Sequence, residues 1–137
     1  MYKVLIVDDM KSWQTINTKL MQKFLNGDVE ITQTSSAKEA YQKALENKNE
    51  PFDIILTDLQ METDFSPKVA GEWLVEQIKM QPEYKNTFIL LISASFGIQN
   101  IAKRLDVAYI RKSNLVSSPQ ALFYMLEENN FIPKEDQ

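Results

Sequence analysis

The stretch Phe52-Asp53-Ile54-Ile55-Leu56-Thr57-Asp58 decides the fold. Four of its seven residues are apolar, and it ends in a carboxylate followed by Leu59-Gln60-Met61. A short apolar run bounded by polar residues reads as a buried strand. A carboxylate at the carboxyl end of such a strand lies where open α/β sheets keep their ligand sites. Asp58 is therefore the candidate nucleophile, and the other informative residues are read around it.

Upstream, Lys3–Val7 is a continuous apolar run of the kind buried on both faces of a parallel sheet, and Asp8-Asp9 ends it. Lys11–Leu25 carries Trp13, Ile16, Leu20 and Phe24 at helical spacing, and Asn26-Gly27 stops it. Val29–Thr34 alternates, with Val29, Ile31 and Gln33 on one face, as a weaker edge strand does. Ser36-Ala37-Lys38-Glu39 is a capping-box pattern, opening a helix with Ala37, Ala40, Tyr41, Ala44 and Leu45 inward.

Downstream, Gln60–Lys68 reads as irregular, and a helix follows from about Val69 to Met80 with Trp73, Leu74 and Ile78 inward. Thr87–Ile92 is a fourth strand ending at Ser93-Ala94-Ser95. Ile98, Ile101, Ala102 and Leu105 mark a short helix, and Val107–Arg111 a fifth strand followed by Lys112. Ser117-Ser118-Pro119 opens the last helix, with Leu122, Met125 and Leu126 inward. Five alternations of strand and helix predict a doubly wound α/β fold, (βα)5 and flavodoxin-like. Its five-stranded parallel sheet takes the order 2-1-3-4-5. One domain is expected over 1–131, with a polar C-terminal tail over 132–137.

Composition narrows the chemistry. A chain of 137 residues, 44% apolar and 25% charged, suits one ordinary domain. A net charge of −4 gives no reason to expect direct nucleic-acid binding. No apolar run spans a membrane or forms a signal peptide, so a cytoplasmic protein is expected. Cysteine and histidine are both absent. Disulfides, thiolate nucleophiles, His-ligated zinc and Ser-His-Asp schemes are excluded. Carboxylates, hydroxyls, lysine and hard metal ions remain.

Four of the five strands end in a polar group with a chemical use: Asp8-Asp9, Asp58, Ser93 and Lys112. The second ends in Gln33-Thr34. In the order 2-1-3-4-5 the second strand is the outer edge, so the four useful ends converge on one crevice. Taken singly, Asp9 reads as a helix N-cap, Asp58 as a turn residue, Ser93 as a strand-end hydroxyl, Lys112 as a surface lysine and Tyr109 as core. The joint placement overturns those readings. Two unit charges about 4 Å apart repel by ~1 kcal/mol in water and ~4 kcal/mol at an effective dielectric of ~20. Carboxylates so gathered either protonate in part or bind a cation; a hard divalent ion fits, with Mg²⁺ expected and Mn²⁺ admissible. Carboxylate, hard metal, lysine and hydroxyl together make a phosphoryl-transfer site.

The sequence resembles the receiver domain of two-component response regulators from about Tyr2 to Asn130. The resemblance lies in Val7-Asp8-Asp9, Ile54–Met61, Leu91-Ile92-Ser93-Ala94 and Tyr109-Ile110-Arg111-Lys112, in that order. It implies that Asp58 accepts a phosphoryl group. It implies that Asp9, Asp58 and the Gln60 carbonyl ligate Mg²⁺, with Asp8 acting through a metal-bound water. It further implies that Lys112 meets a phosphoryl oxygen and that Ser93 and Tyr109 are the switch pair. Departures are Glu62 and Ser113 where the family has proline, Leu105-Asp106 for a Gly-Ala pair, and a stretch lengthened near Thr63–Pro67. Ser113 puts in doubt the cis peptide the family often has there.

The implied partners are a histidine kinase or histidine phosphotransfer protein upstream. Downstream, a protein would bind the face of the fourth helix, fifth strand and fifth helix; a phosphorylation-dependent dimer is another output open to it. No output domain follows, so a stand-alone chemotaxis-type receiver is expected, or else a receiver cut from a longer protein. Such a chain catalyses at most its own phosphorylation and dephosphorylation. The alternative is a Mg²⁺-dependent aspartyl phosphohydrolase of the haloacid dehalogenase type. That pattern needs a second aspartate two residues after the nucleophile, whereas Asp8 is followed by Asp9-Met10. Flavin binding on the same fold would want a phosphate-cradling loop where Asp8-Asp9 stands.

Overall fold

The computed structural model describes residues 1–61 and 70–134. The lengthened stretch with Glu62, Thr63–Pro67 and Val69, and the last three residues, lie outside the described residues.

Five apolar runs form one parallel sheet: β1 (Tyr2–Val7), β2 (Val29–Thr34), β3 (Ile54–Thr57), β4 (Phe88–Ser93) and β5 (Ala108–Arg111). Their order is β2-β1-β3-β4-β5, as expected. The register pairs Val7 with Thr34 and with Thr57, Thr57 with Leu91, and Ser93 with Arg111. The carboxyl ends of β1 and β3 are therefore level, and β4 runs two residues further, to Ser93 beside Arg111 of the edge strand β5.

Strand alternation sends successive side chains to opposite faces. Leu5, Val7, Ile55, Ile89 and Leu91 meet α2 (Ala37–Glu46), α3 (Ala70–Lys79) and α4 (Ile98–Leu105). Val4, Ile6, Ile54, Leu56, Leu90, Ile92 and Ile110 meet α1 (Lys11–Phe24), α5 (Lys112–Ser117) and α6 (Gln120–Glu128). Three alanines (Ala37, Ala40 and Ala44) are the buried residues of α2, which lets it lie close to the sheet. Tyr84, on a 3₁₀ turn over Pro82–Tyr84, closes that layer by donating its hydroxyl to the Ala44 carbonyl at 2.7 Å. Phe131 and Ile132 pack against the other face, while Pro133 and Lys134 are exposed.

Several local expectations change. The buried stripe of α1 is Gln14, Asn17, Met21 and Phe24, not Trp13, Ile16, Leu20 and Phe24. Ile16 is exposed, and Trp13 and Leu20 sit at the flank. The helix is turned by about one residue because the Gln14 amide reaches the Asp8 and Thr34 carbonyls, at 2.7 and 3.3 Å. On α3, Val75 joins Leu74 and Ile78 inside, and Trp73 is half-buried. The capping box closes one residue early. The Ser36 hydroxyl accepts from the Glu39 amide at 3.1 Å, but the Glu39 carboxylate accepts from the amide of Ser35 at 2.9 Å. Lys112 starts a short helix, α5, where the sequence predicts only the opening of the last helix at Ser117-Ser118-Pro119. The final helix is consequently the sixth. No described residue has a cis peptide bond.

Candidate active site

β1 runs into Asp8, β3 into Asp58 and β5 into Lys112; register and strand order bring these three together. The Lys112 ammonium lies 2.9 Å from Asp8 Oδ2 and 3.0 Å from Asp58 Oδ2. All three residues are buried. Asp9 is half-buried beside them, and one carboxylate oxygen from each of Asp8, Asp9 and Asp58 lies within 4.8 Å of the others. Backbone amides fix both buried acids. Asp8 Oδ1 accepts from Met10 N–H at 2.9 Å, and Asp58 Oδ1 accepts from Leu59 N–H at 2.7 Å. The N-cap residue of α1 is Met10 rather than Asp9.

Burial raises the Asp8 carboxyl above its ordinary value, against the opposing pull of the Met10 amide and of Lys112. Burial alone would lower the Lys112 ammonium, but its bonds to Asp8 and Asp58 and their charges outweigh that and raise it. Lys112 is thus held charged, flanked by two acids. The donor set is all oxygen and anionic. That set suits a small hard divalent ion, which takes one or two carboxylates and keeps several waters.

Ser93 is buried at the end of β4, where its hydroxyl accepts from the Ser95 amide at 3.2 Å. Tyr109 is half-buried on β5, opposite Leu91, against the core beneath α4. Gln60 is exposed, two residues beyond Asp58. The close cluster is therefore Asp8, Asp9, Asp58 and Lys112. Ser93 stands on the adjoining strand end, and Tyr109 and Gln60 form no part of the ion-paired group.

Four supporting residues lie outside the strand-end set. Gln14 holds the Asp8 carbonyl from within α1. Arg111 donates to the Ser95 carbonyl at 3.2 Å and ties β5 to the loop that follows Ser93. Trp13 lays its ring 4.9 Å from the Lys112 nitrogen. Gly71 packs its backbone on the acceptor turn: a Cβ there would lie 2.3 Å from the Asp58 carbonyl oxygen and 2.5 Å from Leu59 Cα. Two of them leave a sequence signal: Gly71, a glycine in the first turn of a helix, and Trp13, a tryptophan soon after the acidic pair.

A family model described as the response regulator receiver domain matches residues 4–112. The chain belongs to that family. Solved receiver structures agree with the fold. Chemotaxis response regulator CheY4 of Vibrio cholerae is 24% identical, with a TM-score of 0.66 over 89% of this chain and 98% of that one. The phosphorylated cyanobacterial phytochrome response regulator RcpA is 25% identical, with a TM-score of 0.64 over 93% and 91%. The receiver domain of the sensor histidine kinase PA1611 from Pseudomonas aeruginosa has a magnesium ion in its active-site cleft. It is 16% identical, with a TM-score of 0.69 over 90% and 95%. No curated protein sequence gives a significant match. The receiver is a module of phosphorylation-dependent signalling rather than a metabolic enzyme, and the phosphohydrolase alternative has no support. Receiver domains work with histidine kinases or phosphotransfer proteins and with downstream effectors. Among the described residues no helix is long and apolar enough to cross a membrane.

Proposed function

We propose that this receiver takes a phosphoryl group onto Asp58 from a phosphohistidine of a kinase or phosphotransfer protein. The observation that supports this most directly is the Lys112 ammonium seated between Asp8 and Asp58, with Asp9 at the rim. An Asp58 carboxylate oxygen forms a bond to phosphorus as the bond from phosphorus to the donor imidazole nitrogen breaks. The electron pair stays with that nitrogen. Leu59 N–H and the Lys112 ammonium orient the attacking carboxylate before the donor arrives. Lys112 then offers its N–H groups to a phosphoryl oxygen.

Asp8, Asp9 and Asp58, with the Gln60 carbonyl, are the groups that would hold Mg²⁺ or Mn²⁺. When bound, the cation offsets the charge that builds up on the phosphoryl oxygens.

The product carries about two negative charges where Asp58 carried one. It favours the conformer in which the Ser93 hydroxyl donates to it, with Tyr109 moving toward the vacated space. The altered face would be α4, β5 and α6, where a downstream protein or a second copy of the chain would bind. The domain is taken to span 1–131.

The test is incubation with Mg²⁺ and a small acyl phosphate, followed by intact-mass measurement. The expected result is one added phosphoryl group, abolished by Asp58→Asn. Full labelling of Asp58→Asn would displace the acceptor assignment. Turnover of donor in large excess without adduct would favour hydrolysis instead.

A further inference from the structure

We propose that Trp13 is a positioning residue for Lys112, its indole face holding the ammonium against Asp8 and Asp58. The proposal deepens the acceptor reading of Asp58 and rests on it for its kinetic arm.

An ammonium has three N–H donors and no acceptor. In Lys112 two of those directions are taken, by Asp8 Oδ2 at 2.9 Å and Asp58 Oδ2 at 3.0 Å. The ring centroid of Trp13 lies 4.9 Å from the same nitrogen. Lysine is a strongly hydrated charge on a flexible four-carbon stem. At 8% exposure Lys112 has given up most of that water, so a third partner has to come from the protein. Tryptophan is the aromatic side chain best suited to it, and the attraction strengthens where water is excluded.

The placement is economical in sequence. Trp13 stands in the first turn of α1, four residues after Asp9, its amide bonded to the Met10 carbonyl at 3.0 Å. Lys112 stands where β5 becomes α5. One ring therefore links α1 to the β5–α5 junction beside the acceptor. Trp13 is half-buried at the flank of α1, while Met21 and Phe24 fill the core beneath that helix. Filling space there would need no aromatic.

The functional consequence follows from charge. When Asp58 becomes an acyl phosphate, one of the two carboxylate partners of Lys112 changes identity. The indole face does not. It keeps the ammonium near the acceptor while the N–H groups transfer to a phosphoryl oxygen, and no bond to Trp13 forms or breaks.

The test uses the full chain with Trp73→Phe, which leaves Trp13 as the only tryptophan; Trp73 packs on Tyr41, ring centroids 5.4 Å apart, between α2 and α3. The first arm needs no phosphate. A positive charge over an indole perturbs its excited state, so Lys112→Met shifts the Trp13 emission of the metal-free protein. The second arm is labelling by a small acyl phosphate with Mg²⁺. Trp13→Leu slows it about fivefold, and Trp13→Phe restores it to within about twofold, as a weaker π face would. In a Lys112→Met chain, Trp13→Leu adds no further slowing.

Equal slowing by Trp13→Leu with and without Lys112, or Phe no better than Leu, would reduce Trp13 to a packing residue and overturn the proposal. So would an emission spectrum that ignores Lys112. Thermal midpoints of each variant show that the compared proteins are folded. If the Trp73→Phe chain never labels, the acceptor reading fails, and the emission arm still decides the Trp13–Lys112 contact.

Discussion

The two helical layers bury different things. Against one face of the sheet, α2, α3 and α4 bury only apolar side chains and the backbone of Gly71. Against the other, α1 buries Gln14 and Asn17, and α5 buries Lys112, among the described residues. The first layer is governed by volume. The second gives up apolar contact for polar groups, two of which, Gln14 and Lys112, bond to the site. The contrast implies different failure modes: extra atoms should harm the first layer, and lost or misplaced partners the second.

The largest expected effect is at Gly71. A methyl there meets the backbone of Asp58 and Leu59 at 2.3 and 2.5 Å, too close for anything but movement of the acceptor turn. Gly71→Ala should cost roughly 3 kcal/mol or more in urea unfolding, at the upper end for overpacking. It should also depress labelling at Asp58. Gly97→Ala is the control: its Cβ would sit 3.6 Å from the Ile101 side chain, an ordinary contact. Its expected change is within about 0.5 kcal/mol. Equal effects at the two glycines would remove the volume argument for the α3 layer.

The same contrast explains what could be read from the sequence. The apolar layer was legible. Alanines at positions 37, 40 and 44 and the runs at 54–57 and 88–92 follow the helical and strand periods that burial imposes. The strand-end residues Asp8, Asp58, Ser93 and Lys112 were legible for the same reason, since a strand's end is visible where its apolar run stops. The α1 layer misled. A helical period counted on apolar residues chose Ile16, but a buried glutamine and asparagine obey the same period and carry no hydrophobic signal. α5 was missed because a six-residue helix, with Lys112 and Leu115 as its buried residues, shows too little repeat. The contacts of Trp13 and Arg111 join elements far apart in the chain, which no local pattern records.

In the polar layer, the first test is Gln14→Met. Methionine has a similar chain length but cannot donate. The Asp8 carbonyl would lose its 2.7 Å partner, whereas the Thr34 carbonyl would keep the Asp8 amide at 3.1 Å. One buried acceptor left unpaired costs about 1–3 kcal/mol. Equilibrium unfolding should report about 2 kcal/mol, with weaker Mg²⁺ binding because Asp8-Asp9 is no longer pinned. A stability unchanged within error would mean that α1 is placed by its apolar residues alone.

A second test uses pH. The folded-state pKa of Asp8 is raised above the ordinary 3.8, so the folded chain binds this proton more readily than the unfolded one. The cost of ionising Asp8 is absent below about pH 3.8 and fully present once the pH passes its folded value. Stability of the chelator-treated protein should fall across that window. Lys112 acts at the other end. Its raised value gives stability that is present below its ordinary 10.5 and is lost as the pH climbs through the folded value. Asp8→Asn should remove the acid-side fall. It should raise the metal-free thermal midpoint at pH 7 by a few degrees while weakening Mg²⁺ binding. A midpoint lowered by the substitution would show that the Lys112 ion pair outweighs the burial of Asp8.

The smallest expected effect has the opposite sign, three residues along the same helix. Asn17 is 3% exposed, and its Oδ1 has no hydrogen-bond partner among the described residues. Leucine has the same number of side-chain heavy atoms on the same branched skeleton and leaves nothing to desolvate. Asn17→Leu should therefore stabilise the protein by about 1 kcal/mol, equivalent to about 4 °C in thermal midpoint for a chain of this length. Labelling should be unchanged. Set beside Gln14→Met, this gives a paired result from nearly the same chemical change, polar amide to apolar chain. A loss at Gln14 and a gain at Asn17 would show that only polar groups with a partner at the site are worth their burial. Losses at both would show that α1 needs a polar core for its own packing, and the distinction between the two layers would no longer concern the site.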